Sequence, residues 1–429
     1  MLPLGRGSGR GRFSFRSKTV KRHLIGIGGV GMSALATALV RLGDEVTGAD
    51  RTLDTPNIRF LESIGIKCFP DDGSGVDASV GEIVVSTAIE DTNPALAKAK
   101  ELGIGVTHRA RALARALDGR KLVAVAGTCG KSTVTAMLGH ILGECGFDPF
   151  CVNGANVPGW EGAVRFGSGE FAVAEVDESD KSLVAFHPYA AIVTNASADH
   201  YSKEEMDEVF DNFIAGIPGP LVDGRRGVAL SDLSAAKLAK VLPMPGRHNL
   251  QNAALAVTMA VALGCREEEA LAAMASFRGV ERRLQFIGGG EGKGPAVYDD
   301  YAHNPEKLRA MLTTLAEKYD AVCAVWRPHG YAPLRKMMEP LAKMFGETLR
   351  PGDRLLLLPV YDAGGTADRS VNSGRLARML ERTASGRCIE VADLDAAYGW
   401  MDSHRSGFSA FVTCGARDPG LASLARRLV

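Results

Sequence analysis

KLVAVAGTCGKSTVTAMLGHIL, residues 121–142, decides how the rest of the chain reads. Leu122 to Ala126 form an unbroken apolar run that predicts a buried strand, and Val134, Met137, Leu138, Ile141 and Leu142 recur at helical spacing. Between them lies the turn Gly127-Thr128-Cys129-Gly130-Lys131-Ser132-Thr133. A glycine turn joining a strand to a helix lets backbone N–H groups cradle phosphates, while Lys131 reaches the β/γ oxygens and the Ser132 hydroxyl can hold Mg²⁺. Val125 stands where the longer G-x-x-x-x-G-K-S pattern has its first glycine, so this loop is a shortened form.

The same strand–turn–helix grammar extends to both sides. Upstream, HLIGI (residues 23–27) predicts a strand, GGVG a turn, and Met32, Leu35 and Leu39 a helix; strands then follow at Glu45 to Gly48, Glu82 to Thr87 and Gly105 to Arg109, with a helix around Pro94 to Leu102. Downstream, strands are expected at Glu170 to Val176 and Ala190 to Asn195, with an Ala-rich helix from about Asn249 to Leu263. A third block starts after Glu281, with strands at Ala296 to Asp300, Ala321 to Trp326, Arg354 to Val360, Arg387 to Val391 and Ala410 to Cys414. Strands alternating with helices predict doubly wound parallel sheets. The expected boundaries are a basic tail at residues 1–22 and domains at 23–118, 119–281 and 282–429.

Composition agrees with several packed cores and excludes some classes. The 429 residues are 46% hydrophobic, and at ~150 residues per domain that length suggests about three domains. Fifty basic residues balance fifty acidic ones, so no global field draws the chain to nucleic acid or an anionic membrane. No apolar run reaches the ~20 residues that span a bilayer. The eight cysteines lack any C-x-x-C pair, which argues against a disulfide scaffold or a structural zinc site and fits a reducing cytosol. The tail, MLPLGRGSGRGRFSFRSKTVKR, lacks the apolar region of a secretory signal.

Two further clusters carry candidate chemistry. Gly26-x-Gly28-x-x-Gly31 after the first strand suits a pyrophosphate, and Asp50, twenty-four residues past Gly26, can hold a ribose hydroxyl or a base; a purely structural turn is the bland alternative. Glu175 ends one strand and His200 lies just past the next, so both can converge beside the phosphate loop as Mg²⁺ ligands. Asp177, Glu178 and Asp180 read equally well as a solvated acidic loop. In DDYAHNP (residues 299–305), Asn304 and Pro305 read as a helix cap and first turn, which leaves Asp300 and His303 as functional candidates.

These motifs in this order resemble the Mur ligase family, ATP-dependent amide-bond formers of peptidoglycan synthesis, and most closely its UDP-N-acetylmuramate:L-alanine ligase branch. The resemblance runs from about His23 to the C-terminus through HLIGIGGVGMSALA, TGAD, VVSTAI with DTNP, GTCGKST, AEVDESD, TNASADH, GRHNLQNAALAV, ERRLQ and DDYAHNP. It implies an α/β fold of three domains: N-terminal Rossmann-like, central P-loop ATPase-like and C-terminal Rossmann-like. It places UDP phosphates on Gly28, Gly29 and Gly31, with Asp50, Ser86 and Arg109 around the UDP-sugar. ATP phosphates fall on Gly127, Thr128, Gly130, Lys131, Ser132 and Thr133, Mg²⁺ on Ser132, Glu175 and His200, and nucleotide contacts on His248, Asn249, Asn252, Arg283, Asp300 and His303. Lys131, Glu175 and His200 are then the catalytic set. The implied reaction activates the UDP-N-acetylmuramate carboxylate as an acyl phosphate, which an amino acid, L-alanine by default, attacks.

The chain departs from that branch in places. The loop reads TCGKST where the branch has THGKTT. Only about thirty residues separate DNFIAGIP from GRHN, where the family has a longer β-rich segment. YSKEEM follows His200, and WRPHGYAPLR has Gly330 where the branch places an arginine. These fall where acceptor substrates would sit, so a Mur-like ligase with another acceptor, such as a recycled peptide, stays open beside the default. A nucleotide binder without turnover stays open too. A dehydrogenase using the first glycine motif would have no need of Lys131, Glu175 and His200.

Overall fold

The computed structural model describes residues 20–177, 182–196, 203–228, 230–362 and 368–429. The basic tail (residues 1–19 of it), Glu178, Asp180 and His200 lie outside the described residues. Among the described residues three sheets are present, grouped into two compact units: residues up to Ser231 with Leu255–Ala273, and Asp232–Ala254 with Met274–Val429.

In the first unit, β1 (Lys21–Ile25), β2 (Glu45–Asp50), β3 (Lys67–Pro70), β4 (Glu82–Val85) and β5 (Gly105–His108) form a parallel sheet in the order β3-β2-β1-β4-β5. Its helices are α1 (Val30–Arg41), α2 (Pro56–Ser63), α3 (Pro94–Glu101) and α4 (Arg109–Ala116). Order reverses between β1 and β4, and at such a switch point the loops beyond the strand ends diverge and leave a crevice. Every candidate on this sheet lies at that edge: the glycine turn after β1, Asp50 ending β2, Ser86 after β4 and Arg109 after β5. HLIGI is a strand only as far as Ile25, because Gly26 turns the chain at φ 74°.

The central sheet, also in the first unit, runs β11-β10-β6-β9-β7-β8. Its strands are β6 (Lys121–Ala126), β7 (Phe150–Val152), β8 (Val164–Arg165), β9 (Phe171–Glu175), β10 (Ala190–Val193) and β11 (Leu221–Asp223), with β8 antiparallel to β7 and the other pairings parallel. Helices α5 (Lys131–Glu144), α6 (Lys203–Ile214), α7 (Asp232–Val241), α8 (Arg247–Ala262) and α9 (Glu267–Ala273) follow in chain order, α7 belonging to the second unit and α8 divided between the two. Parallel strands are covered on both faces, so they need apolar runs and not alternation. β6 obeys: Val123 to Ala126 are fully buried, as are Val134, Met137, Leu138, Ile141 and Leu142 on α5. Each of these Val, Leu, Ile and Met side chains stabilises the fold by roughly 1.5–3 kcal/mol relative to exposure.

The second unit holds the third sheet, β12-β13-β17-β14-β15-β16. Here β12 (Gln285–Gly288) is antiparallel to β13 (Ala296–Asp300), and β14 (Val322–Trp326), β15 (Arg354–Leu357), β16 (Cys388–Glu390) and β17 (Ala410–Cys414) complete the parallel part. Helices α10 (Pro305–Lys318), α11 (Tyr331–Thr348), α12 (Ser373–Thr383), α13 (Leu394–Ser403) and α14 (Gly420–Arg427) connect and flank them. Asn304 caps α10, its Oδ1 accepting from Lys307 N–H at 2.9 Å, with Pro305 in the first turn. Among the described residues no helix is long and apolar enough to cross a membrane.

Candidate functional site

The phosphate loop is shaped by its neighbours as much as by its glycines. Gly127 leaves β6 at φ 126°, where a Cβ would fall inside the Thr194 hydroxyl, and Gly130 enters α5 at φ 85°. Only glycine takes both backbone angles without strain. Thr194 and Asn195, just past the adjacent strand β10, fasten the loop. Thr194 Oγ1 and Asn195 Nδ2 donate to Cys129 O at 2.6 and 2.9 Å, and Asn195 Oδ1 accepts from Cys129 N–H at 3.0 Å. Both residues stand in the TNASADH motif, yet their role is visible only once strand order puts β10 next to β6.

Lys131 Nζ donates to Gly127 O at 2.7 Å, so the cation rests on its own loop. Glu175 ends β9 on the other side of β6, and its Oε2 accepts from Gly154 N–H at 2.7 Å. A side chain at 154 would occupy the space of that carboxylate. Asp177, two residues on, lies 3.9 Å from Lys131 Nζ and 3.7 Å from Arg109 Nη2. Gly31, Arg109, Glu175 and Asp177 line one pocket with Leu35, Leu113 and Phe186, so the first sheet's crevice and the phosphate loop's surroundings meet within this unit. The Arg109 guanidinium lies over Gly31, where a Cβ would stand 2.8 Å from Nη1.

Asp50 is bonded within its own turn. Its Oδ2 accepts from Gly28 N–H at 2.9 Å and its Oδ1 from Thr52 N–H at 3.1 Å, so the carboxylate closes the glycine turn onto β2. Asn57 Nδ2 donates to Gly28 O at 2.8 Å and holds the other side of that peptide. Ser86 stands half-buried just past β4 at the same sheet edge.

The second unit builds its own cluster at the ends of β13, β17 and β14. Asp300 accepts from Ala302 N–H at 2.7 Å and Leu284 N–H at 2.6 Å. Burial pushes its carboxyl up to about 6, against the pull of Arg283 and those two amides. Burial likewise drives the His303 imidazole down to about 4, and His303 meets His329 at 4.9 Å between ring centroids. Burial lowers the His329 imidazole as well, so both rings are neutral near pH 7. Arg283 stacks on Tyr301 at 5.2 Å, presented by a turn in which Arg282 and Leu284 have φ of 57° and 46°. Arg282 anchors that turn through buried Asp299 at 3.2 Å, and Asp299 also accepts from Thr413 Oγ1 at 2.8 Å.

His248, Asn249 and Asn252 are not brought to this cluster. His248 lies against Thr314, where a Cβ on Gly246 would touch both, and feels Glu317 near the far end of α10 from His303. At 1.5 Å per residue, the twelve residues from Pro305 to Glu317 correspond to about 18 Å. Asn249 and Asn252 are buried, and Asn249 Nδ2 donates to Pro245 O at 2.7 Å.

The model of the Mur ligase family, catalytic domain, matches residues 21–121, and that of the Mur ligase, glutamate ligase domain, matches residues 282–417. The chain belongs to the Mur ligase family. Among its curated relatives, the UDP-N-acetylmuramate–L-alanine ligase of Paenarthrobacter aurescens is 36% identical over 441 residues, taking in 92% of this chain and 94% of the relative. That of Hyphomonas neptunium is 32% identical over 452 residues, with 91% and 94% covered. An alignment of 452 positions is longer than this chain's 429 residues, so that relative carries residues with no counterpart here. Among solved structures, the UDP-N-acetylmuramate–alanine ligase of Thermotoga maritima shares the fold with a TM-score of 0.78 at 23% identity, covering 95% of this chain and 98% of that one. A murein peptide ligase from Psychrobacter arcticus gives 0.65 at 20% identity, with 95% and 98% covered.

Proposed function

We infer that this chain is an ATP-dependent ligase that joins an amino acid, L-alanine by default, to the carboxylate of UDP-N-acetylmuramate through an acyl phosphate, as a step of peptidoglycan precursor synthesis. Sequence relatives of that activity over nine-tenths of the chain support the substrate. The observation that carries the chemistry is Lys131 on a glycine loop, with Glu175 projecting from the neighbouring strand.

The residues present fit ATP and Mg²⁺. Gly127 and Gly130 supply the positive-φ backbone that a phosphate-cradling turn needs ahead of α5, and the Ser132 hydroxyl and Glu175 carboxylate are the hard oxygen donors that Mg²⁺ prefers. Gly154 N–H donates to Oε2 of Glu175, so that amide orients the carboxylate, whose remaining lone pairs would serve a cation. When bound, Mg²⁺ would offset charge on the transferring phosphoryl group. His200 completes the assigned metal set. Thr128 and Thr133 are assigned to the phosphates with Gly127, Gly130, Lys131 and Ser132.

Arg109 over Gly31, with Gly28 and Gly29, is assigned to the UDP pyrophosphate, and Ser86 to the UDP-sugar. Asp50 acts on that ligand through the turn it closes. Lys131 neutralises charge as the carboxylate attacks the γ-phosphate, a term that carries much of such a reaction because phosphoryl transfer asks for positioning and electrostatics more than for covalent help. Of the residues proposed for nucleotide contacts, Arg283, Asp300 and His303 cluster together, whereas His248, Asn249 and Asn252 on α8 lie apart from them and would have to meet a different part of the ligand.

Gly330 favours a second reading in which the acceptor is not L-alanine, because α11 starts without the guanidinium that the branch places there. Phosphate release from Mg-ATP, with and without UDP-N-acetylmuramate, across the twenty amino acids separates the two. Release that needs the UDP-sugar and peaks with L-alanine supports the first; a peak with another amino acid or with a peptide supports the second, and no release with any pair rejects both.

A further inference from the structure

The sequence scatters its cysteines without a recognisable pair, yet folding brings two of them together across 120 positions, Cys145 at the end of α5 and Cys265 between α8 and α9. After burial, the Cys145 thiol is the neighbour that raises the Cys265 thiol most, so the two side chains lie against each other. Other contacts fix the same alignment. A Cβ on Gly264 would lie 3.7 Å from the Phe147 ring, and His140 Nε2 meets Ala273 O at 2.9 Å, so the residues on either side of the two cysteines are also neighbours. Cys145 is half-buried and Cys265 buried. Both belong to the first unit, and neither is among the residues assigned to substrates.

We propose that Cys145 and Cys265 form an oxidisable dithiol, a modification site at which a low-molecular-weight disulfide converts the native fold to a cross-linked form. Cys145, the more accessible, attacks the small disulfide as its thiolate; one small thiol leaves, and a mixed disulfide forms on Cys145. Cys265 gives up its proton and attacks the Cys145 sulfur, the second small thiol leaves, and the protein holds one new S–S bond. Two protein thiols are oxidised and one small disulfide is reduced to two thiols. Burial and the neighbouring thiol hold Cys265 protonated until it is called on. The bond fastens the end of α5 remote from Lys131 to the turn that leads into α9, closing a loop of more than a hundred residues, a length at which cross-linking strongly restricts the unfolded chain.

The experiment is incubation of the full-length native protein with oxidised glutathione, then intact mass and peptide mapping. The expected result is a loss of about 2 Da, one cross-linked peptide pair joining residues 145 and 265, and a thermal midpoint raised by on the order of 10 °C that dithiothreitol reverses. Cys145→Ser should keep the unmodified midpoint and yield no cross-link; Cys265→Ser should stop at a stable glutathione adduct on Cys145. A stable adduct on wild-type Cys145, a bond through any other cysteine, or a lowered midpoint in the cross-linked form would overturn the proposal.

Discussion

At the scale of single residues, the charges of the first unit are arranged around Lys131. Its ammonium is shared between Gly127 O and the more distant Asp177, and Asp177 also faces Arg109. Lys131→Ala should cut turnover by about 100-fold or more, because charge on the transferring phosphoryl group loses its partner; near-normal phosphate release would remove this lysine from the mechanism. Glu175→Ala should shift the Mg²⁺ titration of activity to higher concentration while leaving the fold's melting unchanged. Asp50 carries a revised expectation. Because its carboxylate holds Gly28 N–H, Asp50→Ala should weaken UDP-sugar binding by loosening the turn, and Asp50→Asn, which keeps an acceptor oxygen, should restore most of it in a binding titration while ATP affinity stays constant throughout.

Elements show how much could be read from the chain and what could not. The long strands ended close to where their apolar runs end: β13 and β17 match the reading residue for residue, and α8 begins two residues early. β3, β7, β8, β11 and β12 were missed, since two to four residues carry too little periodicity to register. The candidate site was legible where a motif sits on one element, as with GTCGKST. It was not legible where a partner arrives from elsewhere, as with Thr194 and Asn195 on the loop or Gly154 behind Glu175. The loop's dependence on β10 gives a prediction for this scale. Gly127→Ala demands a left-handed backbone of a side chain that would also strike Thr194, and it should destabilise the first unit by about 2 kcal/mol or more in denaturant unfolding.

For the molecule as a whole, the two units carry buried imidazoles of the same kind. His23 in β1 is fully buried, its Nδ1 2.9 Å from Thr47 Oγ1 and its Nε2 without a partner, and burial lowers it to about 4, as it does His303 in the second unit. With 6.5 as the unfolded value, the unfolded chain binds more protons between pH 4 and 6.5, so these groups weaken both units as pH falls through that window. Asp300 acts in the opposite direction. Its carboxyl is raised from 3.8 to about 6, so the folded second unit binds the extra proton and gains relative stability on acidification over that range. Amide exchange, corrected for its intrinsic pH dependence, should therefore show β1 and β2 loosening on going from pH 7 to 5, with His23→Gln reducing the loss. The third sheet should be less sensitive, and Asp300→Asn should expose the His303 penalty.

The side-chain bonds that Thr194 and Asn195 make to the loop run to the peptide groups of Cys129, its N–H and its carbonyl, and the Asn195 carbonyl accepts from Thr128 N–H at 3.2 Å. Those bonds use only main-chain atoms of the loop, so they make no demand on which side chain residue 129 carries. A cysteine in place of histidine is a substitution in lettering that leaves the grammar of the loop intact.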